Sequence, residues 1–198
     1  VFGSDEEVSE PYDESAPPGP LSVYGASKLT GEYFVRAICP RHFVIRSCGL
    51  YGLRGSGGKG RNFVDTMLRL GKERGEVRVV NDQNCTPTFT ADLAAATLQL
   101  LSTRTFGLYH WTNSGCCTWY QFAGEVFRQS GLPVRCTPIT SEEYAARAQR
   151  PHYSVLSTRK FERLGFAAPR AWQEALSDFL QTRASRDVNA SNTPRGRE

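Results

Sequence analysis

The sequence of 198 residues lacks a long apolar run, a C-x-x-C pair of cysteines and a cluster of histidines. Because no window of about 18 apolar residues occurs, it predicts no membrane-spanning helix, and its acidic beginning predicts no signal peptide. The six cysteines form no C-x-x-C pair and the three histidines lie far apart, so no metal site is expected. These absences predict a cytoplasmic protein whose cysteines are free thiols.

Charge of one sign is not concentrated anywhere in the chain either. The formal net charge is only +4, and the basic residues are scattered rather than gathered into a run. A nucleic-acid partner is therefore not predicted. With 39% apolar residues, the chain can bury one sizeable core, which is typical of one globular domain or of a domain with an added lobe.

Helical and strand-like patterns alternate along the chain, which predicts an α/β fold. Helices are predicted over residues 24–39, 63–75, 91–101, 119–131, 157–164 and 171–182, and a short helix is predicted after Thr140, which has capping-box spacing to Glu143. Asn62, Thr90 and Thr118 are predicted as further N-caps. Short strands are predicted over residues 43–46, 77–80 and 107–111. Residues 184–198 are rich in Ser, Asn, Arg and Pro and poor in apolar side chains, so they are predicted to be disordered.

The pentad Tyr-Gly-Ala-Ser-Lys at residues 24–28 carries the strongest chemical signal. It places the phenol of Tyr24 and the ammonium of Lys28 four residues apart at the start of a predicted helix, so both side chains share one face. An ammonium beside a phenol favours the phenolate and makes the phenol a usable proton donor near neutral pH. The pentad thus indicates catalysis, although a solvated helix start would show the same spacing.

Other motifs accompany the pentad in a fixed order. They are Pro11-Tyr12-Asp13-Glu14, then Gly31-Glu32, Asn62-Phe63, Asp82-Gln83 with Pro87-Thr88, the run from Gly107 to His110, and Arg150-Pro151 with Ser154. This series resembles extended short-chain dehydrogenase/reductases, and among them the dTDP-4-dehydrorhamnose reductase family. The resemblance runs from residue 1 to about residue 180.

The resemblance implies NADPH-dependent reduction of dTDP-4-dehydro-L-rhamnose to dTDP-L-rhamnose, with NADH as the alternative cofactor. Tyr24 would protonate the 4-keto oxygen of the sugar, and Lys28 would hold the nicotinamide ribose. Arg46 and Ser47 are implied as further cofactor-binding residues.

The resemblance also implies a set of substrate-binding residues. They are Asn62, Phe63, Asp82, Gln83, Thr88 and Arg150. Arg150 precedes a proline that favours extended backbone, and its guanidinium could bind a diphosphate through two hydrogen bonds. Structural roles stay open for all six: a helix cap, a core anchor, loop hydrogen bonds or, for Arg150, a surface ion pair.

Two parts of the family pattern are not found in the sequence. No strand, glycine-rich turn and helix for a dinucleotide precede Tyr24. The strand that carries the family's third catalytic hydroxyl, a Thr or Ser, ends in Val-Phe, and the chain begins with Val1-Phe2, so this hydroxyl is expected to be absent. The G-x-G-x-x-G run at residues 55–60 lies too far from the preceding strand and is interpreted as a loop beside the substrate pocket.

The expected fold is therefore the C-terminal part of a Rossmann-like doubly wound α/β fold plus a small mixed α/β substrate-binding lobe. Residues 1–52 would be a remnant of the dinucleotide-binding domain, 53–182 mainly the lobe with returning Rossmann elements, and 183–198 a disordered tail. Such a fragment is expected to have impaired activity. Two alternatives stay open: a non-catalytic nucleotide-sugar-binding or regulatory protein, and a nucleotide-sugar epimerase or dehydratase. A homodimer is a further open prediction.

Two departures from the family pattern concern the pocket. Gly49 stands where many of these reductases carry a tryptophan, so an apolar wall is expected to be missing or supplied elsewhere. Cys85 stands where the pattern has glycine, which would strain the loop if that position requires a positive φ.

Overall fold

The computed structural model describes residues 1–3, 8–54, 61–146 and 148–191. In these residues helices and short strands alternate, as the α/β prediction requires. The elements are α1 (Val23–Ile38), β1 (Phe43–Arg46), β2 (Leu50–Tyr51), α2 (Phe63–Arg74), β3 (Glu76–Val80), β4 (Asn84–Cys85), β5 (Thr88–Phe89), α3 (Thr90–Leu101), β6 (Gly107–His110), β7 (Cys117–Thr118), α4 (Trp119–Ser130), β8 (Arg135–Ile139), α5 (Ser141–Tyr144), α6 (Arg159–Glu162) and α7 (Trp172–Ser191).

The strands pair over long distances in sequence. β1 pairs with β6, β2 with β5 and β3 with β8, all three in parallel, whereas β4 and β7 are antiparallel. Parallel strands cannot be joined by a tight turn, so a helix lies in the connection between each parallel pair. The β1–β6 pair ends at Arg46 and His110, which places both residues at the same edge.

Helix ends follow the local chemistry that the sequence predicts. The Asn62 side chain accepts a hydrogen bond from the Asp65 amide at 3.0 Å and caps α2, and Gly75 ends that helix with φ of 68°. Thr118 and Gln121 form a capping box at the start of α4. Because caps and left-handed glycines act locally, the predicted bounds of α2 and α4 agree with the structure to within one residue.

Two predictions about helix ends are wrong. Thr90 is the first residue of α3, and the N-cap is Phe89, which makes no capping hydrogen bond through its side chain. Helix α7 continues to Ser191, so the prediction of disorder from residue 184 is wrong for residues 184–191. Alanine and arginine are good helix formers, and extending an existing helix avoids the cost of nucleation. Residues 192–198 and the glycine run at 55–60 lie outside the described residues.

Buried apolar side chains form three clusters. The largest joins β3 to α2, α4 and α7, and the ring of Phe122 at its centre lies 5.4 Å from the ring of Phe63 and 5.6 Å from that of Trp172. A second cluster joins β1 and β6 to α3 and α6, and a third surrounds Phe2 and Tyr12. The division into residues 1–52 and 53–182 stays a prediction.

Candidate active site

The start of α1 is fixed by local contacts. Ser22 caps the helix by accepting a hydrogen bond from the Gly25 amide at 3.1 Å. A Cβ atom on Gly25 would lie 2.9 Å from the Cβ of Pro20, so this position of the pentad needs glycine for close packing. Tyr24 and Lys28 follow on successive turns, and the Lys28 Nζ lies 5.5 Å from the centre of the Tyr24 ring. The two side chains therefore lie close together, and the catalytic role of the pair stays a prediction.

Tyr24 and Lys28 line a cleft of about 420 Å³. Its other polar walls are Glu32 from α1, Arg46 and Ser47 at the end of β1, and Ser154 from the segment after Pro151. A larger groove of about 850 Å³ lies beside β3 and β8 and contains neither Tyr24 nor Lys28. The four residues predicted to contact the cofactor, Tyr24, Lys28, Arg46 and Ser47, are thus brought together in one place.

Arg46 is held in the cleft by several contacts. Its Nε and Nη2 donate to the two carboxylate oxygens of Glu32 at 2.9 Å and 2.7 Å, and the side chains are only 9% and 12% exposed. Its guanidinium lies 4.9 Å from the centre of the Phe2 ring. The buried Arg46 Nη1 and Ser47 Oγ have no hydrogen-bond partner among the described residues. Two polar atoms at the end of β1 therefore keep their hydrogen-bonding capacity.

His110 packs against Phe2 and forms hydrogen bonds with the segment before the pentad. Its Nδ1 is 3.0 Å from the Tyr12 carbonyl oxygen, and its amide donates to Glu14 at 2.7 Å. Burial lowers the pKa of His110 to about 4, and the charge of Arg46 acts in the same direction. A neutral imidazole therefore belongs to the folded state at neutral pH.

Asn62 and Phe63 have structural partners. Asn62 is buried; besides capping α2, it donates through Nδ2 to the Gly52 carbonyl at 2.7 Å. The Phe63 ring packs 4.8 Å from the Trp119 ring, within the largest apolar cluster. These are the cap and core roles that the sequence left open, and a substrate contact by either residue stays a prediction.

Asp82, Gln83 and Thr88 also make internal hydrogen bonds. Asp82 accepts from the amide and the hydroxyl of Ser141 at 2.8 Å and 2.6 Å, and Gln83 donates to the same hydroxyl at 2.8 Å. Thr88 is fully buried and donates to the Thr86 carbonyl at 3.3 Å. The contacts of Asp82 and Gln83 join the loop after β3 to the start of α5. They are consistent with a structural role for this motif.

Arg150 is exposed and does not line the 420 Å³ cleft, although Pro151 next to it does. Arg150 therefore lies outside the cleft, next to the segment that carries Ser154. Its contact with a diphosphate stays a prediction.

The two departures from the family pattern have clear outcomes. Gly49 has φ of 59°, and a Cβ there would lie 2.9 Å from the Thr86 carbonyl oxygen, so a larger residue is excluded from this conformation. Leu50 and Leu93 supply apolar surface in the cleft. Cys85 lies in β4 and does not have a positive φ, so the expected strain is absent.

Glu32 belongs to the Gly31-Glu32 motif, but the sequence alone assigns it no role. Glu32 follows Lys28 by one helical turn, as Lys28 follows Tyr24. This repeated spacing could have placed Glu32 on the cleft face of α1. Its partner Arg46 lies 14 residues away and could not be deduced from local spacing.

In the part of the chain that the structure describes, no group of three or more His, Cys, Asp or Glu side chains could hold a metal ion. None of the helices described is both long and apolar enough to cross a membrane. The six cysteines are free, as predicted.

Residues 1–185 match the family model described as the RmlD substrate binding domain. The chain belongs to this family. Spore coat polysaccharide biosynthesis protein SpsK of Bacillus subtilis (strain 168) is 44% identical over 177 residues, which cover 89% of this chain and 60% of that protein. A dTDP-4-dehydrorhamnose reductase of Streptomyces griseus is 40% identical over 188 residues, which cover 90% of this chain and 60% of that protein.

A solved structure shows the same fold. The crystal structure of dTDP-4-dehydrorhamnose reductase from Bacillus anthracis str. Ames, in complex with NADP, has a TM-score of 0.86 at 40% identity and covers 92% of this chain and 62% of that chain. The predicted Rossmann-like α/β fold class is thus confirmed. The chain spans about 60% of the length of the curated relatives it matches.

Proposed function

We propose that the protein acts in nucleotide-sugar metabolism as an NADPH-dependent reductase of dTDP-4-dehydro-L-rhamnose. The observation that supports this most directly is the pairing of Tyr24 with Lys28 on the wall of a cleft. Relatives named dTDP-4-dehydrorhamnose reductase, at 35–40% identity, support the choice of sugar.

In this proposal Tyr24 is the proton donor. Its side chain is 72% exposed, so the phenol can reach a carbonyl oxygen placed in the cleft. The ammonium of Lys28, one turn further along α1, stabilises the phenolate that remains after the proton is transferred. Both side chains are carried by a helix whose start is fixed by Ser22, so their relative position is set before a substrate binds.

The residues present fit the nicotinamide end of NADPH. Arg46 Nη1 and Ser47 Oγ are buried polar atoms with no partner among the described residues, and the cleft also offers the apolar surface of Leu93. Lys28 would hold the ribose, and Arg46 with Ser47 would bind the carboxamide. NADPH, when bound, supplies the hydride that reduces the carbonyl carbon.

Substrate recognition is assigned in two parts. Arg150, exposed beside the segment that enters the cleft, would bind the diphosphate through its planar guanidinium. Asn62, Phe63, Asp82, Gln83 and Thr88 would shape the pocket through their internal contacts. A homodimer and the division of the chain at residue 52 are part of the same proposal.

The 198-residue chain is expected to have impaired activity on its own, so the test uses a protein in which a dinucleotide-binding unit precedes residue 1. It measures NADPH oxidation by absorbance with dTDP-4-dehydro-L-rhamnose as substrate, and identifies dTDP-L-rhamnose by mass spectrometry. Tyr24→Phe is expected to lower kcat by a factor of about 10² to 10⁴, because general acid catalysis is lost while the ring is kept. Tyr33→Phe is the matched control, since Tyr33 is an exposed tyrosine of the same helix that does not line the cleft.

Three outcomes would contradict the proposal. Near-normal turnover by Tyr24→Phe would remove the phenol from the mechanism. Binding of dTDP-L-rhamnose without any reduction would favour a non-catalytic binding protein. Conversion of a nucleotide sugar without net consumption of NADPH would favour an epimerase or a dehydratase.

A further inference from the structure

Three side chains of α1 face the cleft on successive turns: Tyr24, Lys28 and Glu32. Lysine and glutamate four residues apart on a helix are close enough to form an ion pair. Among the described residues, however, no ion pair joins Lys28 to a carboxylate, and its ammonium lies 5.5 Å from the centre of the Tyr24 ring. Glu32, the nearest acidic residue on this face, is bound elsewhere.

Arg46 binds Glu32 with both oxygens satisfied, at 2.9 Å and 2.7 Å. A bidentate contact with a guanidinium fixes a carboxylate more firmly than a lysine ammonium does, because two parallel hydrogen bonds set its orientation. The pair is shielded from solvent, with side chains 9% and 12% exposed, so water screens it little. The ring of Phe2 covers the guanidinium at 4.9 Å and further restricts Arg46.

We propose that Arg46 keeps Lys28 available to Tyr24 by occupying the carboxylate of Glu32. Glu32 and Arg46 are then positioning residues that act through Lys28. The inference rests on the proposed function, because that function gives Lys28 its role beside Tyr24. Without the guanidinium, the carboxylate of Glu32 would turn toward Lys28 on the same helix face and compete with the phenol.

The experiment measures the reactivity of the Lys28 amine in the 198-residue chain itself. Competitive acetylation with limiting acetic anhydride, followed by peptide mass spectrometry, gives the reactivity of Lys28 relative to the exposed Lys72 in the same molecules. Lys160 reports on folding, because its ammonium donates to the Leu108 carbonyl at 2.7 Å and is expected to react slowly only in the folded chain.

Arg46→Gln is expected to lower the Lys28-to-Lys72 ratio by about 1.4- to 2.3-fold, the effect of one i,i+4 ion pair. The double variant Arg46→Gln with Glu32→Gln is expected to return the ratio to the wild-type value, because the competing charge is gone. Arg46→Lys, whose ammonium cannot bind both oxygens, is expected to give an intermediate ratio. If Arg46→Gln acted only by destabilising α1, removing the charge of Glu32 as well would not restore the ratio.

The proposal is overturned if the ratio is unchanged in Arg46→Gln, or if the double variant reacts like Arg46→Gln. If fast acetylation of Lys160 shows that Arg46→Gln is unfolded, the comparison passes to Arg46→Lys, alone and with Glu32→Gln, and the same two results decide. Acetylation needs neither NADPH nor a sugar. Inactivity of the protein that also carries a dinucleotide-binding unit would therefore contradict the proposed function without affecting this measurement, and unchanged acetylation would leave the proposed function standing.

Discussion

Arg170 binds both carboxylate oxygens of Asp92, each at 2.9 Å. Asn113 donates to the same carboxylate at 2.8 Å and accepts a hydrogen bond from the Phe89 amide at 2.9 Å. The network joins the start of α3 to the turn before α7, and both helices pack on the clusters that surround the strands. It therefore connects segments that lie far apart in the sequence.

Arg170→Met should therefore lower the free energy of unfolding by about 1 to 3 kcal/mol, because it leaves a partly buried carboxylate without its charged partner. The midpoint of urea denaturation is the measurement. Arg78→Met is the control, since Arg78 forms an exposed ion pair with Glu143 and its loss should leave the midpoint unchanged. Equal shifts of the midpoint in the two variants would show that the Arg170 network stabilises the fold no more than an exposed ion pair does.

The buried His110 should make stability depend on pH. Its pKa is lowered to about 4 in the folded chain, from about 6.5 when unfolded, so the unfolded state binds more protons between these values. Stability is then fully present above pH 6.5 and falls as the pH drops toward 4, by about 2 to 4 kcal/mol. Urea denaturation between pH 7 and pH 4 measures this slope.

A His110→Gln variant supplies the control for that slope, because its amide cannot titrate. The carboxylates with lowered pKa values, Asp13, Asp82 and Glu125, begin to lose their contribution at about pH 5 and below, so the slope between pH 7 and pH 5 reports on His110. An unchanged slope in His110→Gln would assign the pH dependence to other groups.

Two helical glycines should respond in opposite ways to alanine. A Cβ on Gly71 in α2 would lie 2.8 Å from Val134 and 2.9 Å from Phe127, whereas one on Gly124 in α4 meets nothing within 4 Å. Gly71→Ala is expected to destabilise by about 1 to 3 kcal/mol through overpacking. Gly124→Ala is expected to stabilise by about 0.5 to 1 kcal/mol through helix propensity. Thermal unfolding followed by circular dichroism would reveal the two signs.

The thiols should differ sharply in reactivity. Burial raises the pKa of Cys48 to about 12, and its thiol donates to the Thr86 carbonyl at 3.2 Å. The contact with Cys117, together with burial, raises the pKa of Cys85. Because thiolates are the reactive form, iodoacetamide should modify the exposed Cys39 first, the partly exposed Cys48 slowly, and the buried Cys85 only after unfolding. Peptide mapping after timed alkylation distinguishes these rates.

Helices could be predicted from the sequence where their ends carry their own signals. Asn62, Thr118 and Gly75 act within one turn of the helix they bound, so α2 and α4 were predictable. Strands of two residues, such as β4 and β5, have no periodicity and exist because a distant partner pairs with them. β8 was not predicted, since it contains Pro138, a residue that favours edge strands and turns.

The candidate site shows the same division between local and distant contacts. Tyr24 and Lys28 could be paired from their spacing alone, because both lie on one helix. The Glu32–Arg46 ion pair needs the tertiary fold, which brings α1 to the end of β1. Asn62 and Asp82 could be identified as polar motif residues, but their partners Gly52 and Ser141 are visible only in the structure.

The long-range pairing of the strands has a consequence for how the chain reaches this fold. Phe43 in β1 pairs with Gly107 in β6, and Glu76 in β3 with Arg135 in β8. Topologies with such high contact order fold slowly, because loop entropy is lost before the pairing is gained. During synthesis at about 5 to 20 residues per second, β1 waits several seconds for its partner. During that interval the apolar side chains of Phe43 and Ile45 are not yet buried, so chaperones or other nascent chains can bind them.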